Sequence, residues 1–155
     1  FNFKQSFSLE EEKSITITVE GYEFGKRMSE PLMYFGNHFK GDGEIQFSYF
    51  RPDYSTSNPQ LIESFEVAAI RSGDKVVSNK VINALPYFAY SFDEAKQKQI
   101  TKDGKYIMGA YGFLSSDEFP EAGTKFPLIK IQQPRDSIEA YKNIPLVYLV
   151  IVKVQ

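Results

Sequence analysis

Pro145-Leu146-Val147-Tyr148-Leu149-Val150-Ile151-Val152-Lys153-Val154 is the stretch whose reading decides the fold. Apart from Lys153 it is a continuous run of apolar residues, rich in β-branched side chains, entered through a proline. A strand with one wet face alternates apolar and polar residues. A run without alternation reads as a strand buried on both faces, near the middle of a sheet. As the longest apolar run in the chain, it is also far too short to span a bilayer.

A strand of that kind needs neighbours, and the rest of the chain supplies short apolar runs separated by turn residues. Phe126, Leu128, Ile129 and Ile131 form one run, and Tyr106 to Leu114 another. Gly109 and Gly112 inside the latter suggest a bulge or a close backbone approach. Near the start, Phe1, Phe3, Phe7 and Leu9 make a first strand, ended by Glu10-Glu11-Glu12. Ile15, Ile17 and Val19 then alternate with Thr16, Thr18 and Glu20, and the phase slips at Gly21 as a bulge would produce. Leu32 to Phe39 is aromatic-rich, and Lys40-Gly41-Asp42-Gly43 reads as a hairpin turn into Ile45, Phe47 and Tyr49.

Residues 59–71 carry two signals. Asn58-Pro59 resembles a helix start, with Leu61, Ile62, Phe65 and Ala69 on one helical face. Phe65, Val67 and Ala69 also alternate as a strand, turned by Arg71-Ser72-Gly73-Asp74 into Lys75 to Ile82. At most one helical turn near Leu61 and then the hairpin is preferred, because the β-branched Val76, Val77, Val81 and Ile82 need a pairing partner. A capping box, Ser91 with Glu94, predicts a short surface helix into Ala95 to Gln99. The count comes to about nine strands, one short helix and two long loops. The expected fold is all-β: a two-layer β-sandwich, immunoglobulin-like or related, as a single domain over residues 1–155, with a barrel as the second choice.

Composition agrees with that class and closes off several functions. The 155 residues include fourteen Phe and ten Tyr but no Trp, an aromatic set that favours pleated surfaces. Eighteen Lys and Arg against twenty Asp and Glu give a net charge of -2, no electrostatic footprint for nucleic acid or an anionic membrane. With no cysteine there is no disulfide framework, thiolate zinc site or cysteine nucleophile. The chain opens at Phe1 rather than Met, so a leader removed before Phe1 is expected, with an envelope or secreted location.

Catalytic constellations are missing. His38 is the single histidine, too few for a His-based zinc site, and it reads as a turn or surface residue. Asp117 and Glu118 are adjacent loop carboxylates, whereas paired catalytic acids normally come from separate elements. Asp42, Asp53, Asp117 and Glu118 are candidate oxygen ligands for calcium, without any EF-hand spacing; Asp42, Asp74 and Asp103 sit beside glycines as turn residues do. No phosphate loop or nucleophile elbow occurs. Lys96, Lys98, Lys102 and Lys105 read as a solvated face. No enzyme activity and no cofactor is expected.

The long polar loops, Arg51 to Gln60 and Ser115 to Thr124, are therefore the expected contact regions, since function concentrates in loops held by a rigid scaffold. Asp53, Tyr54, Asp117, Glu118 and Phe119 are the candidate partner-contact residues. Phe50 is out of phase with Phe47 and Tyr49, so either its face is covered or an aromatic is exposed. Lys105-Tyr106-Ile107-Met108-Gly109-Ala110-Tyr111-Gly112-Phe113, with Ile45 to Phe50 and Leu146 to Val154, resembles strands of the type VI secretion outer-membrane lipoproteins. That resemblance implies a small β-sandwich tethered at an outer membrane.

The function expected is thus a non-catalytic binding or structural module of an envelope or secreted assembly that recognises a protein partner. The alternative is glycan or small-ligand binding, with Tyr54 or Tyr111 as stacking faces. The aromatic first strand, Phe1 to Leu9, is a candidate donor for strand addition.

Overall fold

The computed structural model describes residues 2–50, 62–71, 74–83, 87–94, 99–115 and 141–155. These form eight antiparallel strands: β1 (Asn2–Glu23), β2 (Lys26–Arg27), β3 (Met33–Phe50), β4 (Ile62–Arg71), β5 (Asp74–Asn83), β6 (Tyr87–Glu94), β7 (Gly104–Ser115) and β8 (Leu146–Val154). They make one sheet in the order β5-β4-β3-β1-β8-β7-β6, with the short β2 paired to β1. The expected strand Phe126 to Ile131 lies outside the described residues.

β8 is the doubly buried central strand that its composition predicts. It pairs with β1 on one side and β7 on the other. Leu146, Tyr148, Val150, Val152 and Val154 point into the main core, while Val147, Leu149 and Ile151 join a second cluster with Tyr22, Ile107, Ala110, Tyr141 and Ile144. A register shift between Ile107 and Gly109 turns Met108, Tyr111 and Phe113 toward the main core. The bulge read from the glycines of this segment is therefore present.

The first half of the chain departs from expectation at its supposed turns. Glu10-Glu11-Glu12 and Lys40-Gly41-Asp42-Gly43 do not end strands; they lie inside β1 and β3, next to each other in the ladder. Leu9 pairs with Gly41 and Lys13 with Phe39, so three β1 residues face Lys40 alone. Such a bulge bends the bulged strand and strengthens the local twist. Gly41 takes a φ of 83° at the bend, and Asp42 and Gly43 continue the ladder opposite Ser8 and Phe7. What reads as a hairpin turn is a corner within one long strand pair.

That corner divides the sheet into two wings. The first comprises β5, β4, the later part of β3 and the early part of β1; the second comprises the early part of β3, the later part of β1, β8, β7 and β6. The wings face each other across aromatic rings. Tyr49 of β3 meets Tyr111 and Tyr148 edge-on, with centroids 5.3 and 6.2 Å apart, and Phe65 of β4 meets Tyr148 at 6.1 Å. Ile100 adds a parallel bridge to Phe7, its N–H donating to the Ser6 carbonyl at 3.0 Å and its carbonyl accepting from Ser8 N at 2.9 Å.

Two further expectations are corrected. Ser91 to Glu94 belong to β6 and pair with Gly109 to Gly112, and no helix occurs among the described residues; residues 95–98, into which the helix was expected to run, lie outside them. A capping box contributes about 1 kcal/mol, too little to outweigh ladder pairing and tertiary packing. The phase slip at Gly21 is not a bulge, since Ile15 to Glu23 pair with Val154 to Leu146 without a shift. Apolar residues change phase there because Tyr22 packs in the second cluster, on the opposite face from Ile15, Ile17 and Val19. The ambiguous segment 62–71 is strand, paired with β5 from Ile62↔Asn83 to Arg71↔Asp74.

Candidate functional site

Asp53, Tyr54, Asp117, Glu118 and Phe119, the contact residues read from the sequence, lie outside the described residues, as do residues 51–61 and 116–124. The others can be placed. His38 is exposed on β3, opposite Ser14, with its backbone N–H bonded to Asn37 Oδ1. Asp42 accepts a 2.6 Å hydrogen bond from Ser8 Oγ, its cross-strand neighbour. Among the described residues no three His, Asp or Glu side chains are grouped to hold a metal. Tyr111, offered as a glycan-stacking face, is buried in the core beside Tyr49.

In the first strand Asn2 to Leu9 pair with Ser48 to Gly41 along one side, and Phe7 bridges Ile100 on the other. The strand order places β5 and β6 at the two ends of the sheet. β5 ends the sheet, and among the described residues it pairs only with β4. Of its ten residues, only Ser78 and Ile82 are even half-buried. Val76, Val77 and Val81 are 39%, 46% and 56% exposed, an unusual state for three β-branched apolar side chains on one strand.

Apolar exposure continues across the outer face of this wing. Phe50 pairs with Ser64, and Ser64 with Val81, which sets Phe50 and Val81 in one row across three strands. Phe50 is 63% exposed, so of the two outcomes open for it the exposed aromatic is the one realised. Ile62, at the end of β4, is exposed on the same face. A contiguous exposed apolar stretch at a sheet edge is both an interaction surface and an open ladder of N–H and C=O groups. The sequence signal for it was present in Lys75-Val76-Val77-Ser78-Asn79-Lys80-Val81-Ile82-Asn83, where neither phase is consistently apolar. That is the pattern of a strand without a buried face.

The corner forms a second feature. Leu9, Glu10, Glu11, Lys13, Thr101, Lys102 and Asp103 line an open hollow of about 370 Å³. Lys13 Nζ lies 3.3 Å from both Glu11 Oε1 and Asp103 Oδ1. Hydrogen bonds to Glu11 and Asp103 raise the Lys13 pKa above its ordinary value, so it remains a cation there. Glu10, Glu11 and Glu12 are exposed, as expected of a solvated acidic run.

Two buried polar pairs serve the fold. Tyr148 Oη donates to Glu63 Oε2 at 2.9 Å, and Glu63 is fully buried. Tyr22 Oη donates to Glu20 Oε2 at 2.6 Å while Arg27 Nη2 lies 2.9 Å from Glu20 Oε1, tying β2 to β1. Burial first, then the bond to Glu20, raises the Tyr22 pKa well above its ordinary value. Neither pair opens onto the hollow or the β5 edge.

Comparisons with protein-family models, curated proteins and solved structures find no match. Among the described residues no helix is long and apolar enough to cross a membrane.

Proposed function

We propose that this chain is a non-catalytic binding or structural module that recognises a protein partner within a cell-envelope or secreted assembly. The observation that carries the reading is β5, which among the described residues pairs only with β4 and is exposed at eight of its ten positions, three of them valines, next to the exposed Phe50 and Ile62. A partner strand laid along β5 would complete the ladder and cover these side chains together. The same reading accommodates a component like the type VI secretion outer-membrane lipoproteins, whose strands the segments now assigned to β3, β7 and β8 resemble. It also takes the two wings as layers of a β-sandwich whose corners are strands bending from one layer into the other. The Tyr148–Glu63 bond between the wings supports that architecture.

The test is retention of proteins from the source organism's membrane and soluble fractions on the immobilised chain and on its Val77→Lys/Val81→Lys variant. A partner held by the native chain and released by the variant supports the reading. One held equally by both removes β5 from it, and recovery of background alone removes the protein-binding function. A second reading, small-ligand or glycan binding, is favoured by the charged hollow at the corner. A blank small-molecule and glycan screen with folded protein would end it.

A further inference from the structure

Resting on the reading of β5 as a recognition edge, we infer that its partner is β5 of a second copy of this chain, paired antiparallel about a two-fold axis at Asn79. Two-fold pairing keeps each side chain on its own face, so the axis must pass through a residue rather than between two. With the axis at Asn79, Val77 faces Val81 of the second copy, Val76 faces Ile82, Ser78 faces Lys80 and Lys75 faces Asn83. Every apolar residue of β5 then meets an apolar residue, and no two like charges stand directly opposite.

Neighbouring registers fail on the same grounds. An axis at Ser78 sets Val76 against Lys80, Val77 against Asn79 and Asp74 against Ile82. An axis at Lys80 stacks two lysines and leaves both Val77 and Val81 against asparagine. The Asn79 register spans Lys75 to Asn83, all but one residue of β5, and the two Lys80 side chains lie diagonal to each other.

Pairing there extends the sheet instead of creating a separate contact. On the outer face the row Phe50–Ser64–Val81 continues through Val77 and Ala68 of the second copy, because Val77 already pairs with Ala68 within each chain. On the inner face Ile82, which packs against the main core, meets Val76. The interface therefore continues an existing core edge, and opposed apolar pairs on both faces fix its register.

The chain has no cysteine, so a single introduced thiol reports the register directly. Asn79→Cys places two thiols opposite each other across the axis, within disulfide reach for directly paired strand residues. Lys75→Cys places them at opposite ends of the pairing. Under mild oxidation Asn79→Cys is expected to give a covalent dimer well ahead of Lys75→Cys. Sedimentation of the native chain should show a monomer–dimer equilibrium. Val77→Glu and Val81→Lys should each weaken it by about tenfold, since each spoils two symmetry-related pairs. The double variant, with opposite charges facing across the axis, should recover the loss. A monomer throughout the micromolar range, or equal cross-linking of the two cysteine variants, overturns self-pairing. A foreign partner that binds a monomeric chain at β5 overturns it too, while leaving the proposed function standing.

Discussion

The Tyr148 hydroxyl of β8 donates a 2.9 Å hydrogen bond to Glu63 of β4, between strands that the sheet order separates by β3 and β1. Glu63 is fully buried, and Tyr148 is ringed by Tyr49, Phe65 and Phe113. The bond thus joins the wings beside these rings. Tyr148→Phe keeps the ring and removes the donor, leaving the carboxyl with one partner fewer. Denaturant unfolding should show a loss of about 1–3 kcal/mol. Combining it with Glu63→Leu should cost less than the sum of the two single changes, because the carboxyl that lost the bond goes as well. Strict additivity would mean the two groups do not interact.

Gly43 and Gly41 should respond differently to alanine. A Cβ on Gly43 would collide with the Phe7 ring and come within 2.8 Å of the Ile70 carbonyl oxygen, both part of the packed wing. At Gly41 nothing lies within 4 Å, and only the φ of 83° opposes a side chain. Gly41→Ala should therefore lower stability by about 1–2 kcal/mol, and Gly43→Ala by more, since overpacking adds to the loss. Thermal melts of both variants would check the order.

Phe24 is a non-glycine residue with a φ of 46°, next to Gly25 at 77°, in the two-residue turn closed by Glu23↔Lys26. Two positive φ values suit an Asn-Gly pair. Phe24 is also largely exposed, so little packing is lost on replacing it. Phe24→Asn is expected to raise the melting temperature, by about 0.5–1 kcal/mol in stability. A fall would show that the Phe24 ring contributes more than its backbone strain costs.

Alkaline pH should destabilise the second cluster. Burial, reinforced by Asp93, pushes the Tyr141 pKa up to about 12 from the ordinary 10.0. The neutral phenol is the form the fold prefers, so its contribution is complete below pH 10 and is lost as pH rises toward 12. Phenolate absorbance should reveal a late-titrating tyrosine, absent in Tyr141→Phe. That variant should also lose less stability than the native chain between pH 10 and 12. Identical alkaline profiles would remove Tyr141 as the cause.

How much of this was legible in the sequence depended on whether one face or two faces of a strand were covered. Leu146 to Val154 announced its place because both faces are buried and nothing interrupts the run. The β4–β5 hairpin was readable from its β-branched residues and the Arg71–Asp74 connection. The corner was not: Glu10 to Glu12 and Lys40 to Gly43 carry ordinary turn chemistry, and only their pairing shows that each bends a strand without ending it. Ser91 to Glu94 read as a cap but lie in β6, because a local capping signal competes with a ladder contributed by β7, elsewhere along the chain. For the site, the phase of Phe50 left open whether its face is covered or the ring exposed, and the structure shows it exposed. The choice of edge was not legible, since strand order is a property of the whole sheet.

The pairing of Ile15 to Glu23 with Val154 to Leu146 has a consequence for biogenesis. β1 emerges from the ribosome well before β8, and until β8 arrives one side of its later half has no ladder partner within the chain. This Ile- and Val-bearing segment is then an aggregation hazard, and closure of the second wing must wait until β8 has been made. Folding should accordingly be slow and late, and any holdase serving this protein should bind β1 in preference to the β4–β5 hairpin, which closes locally.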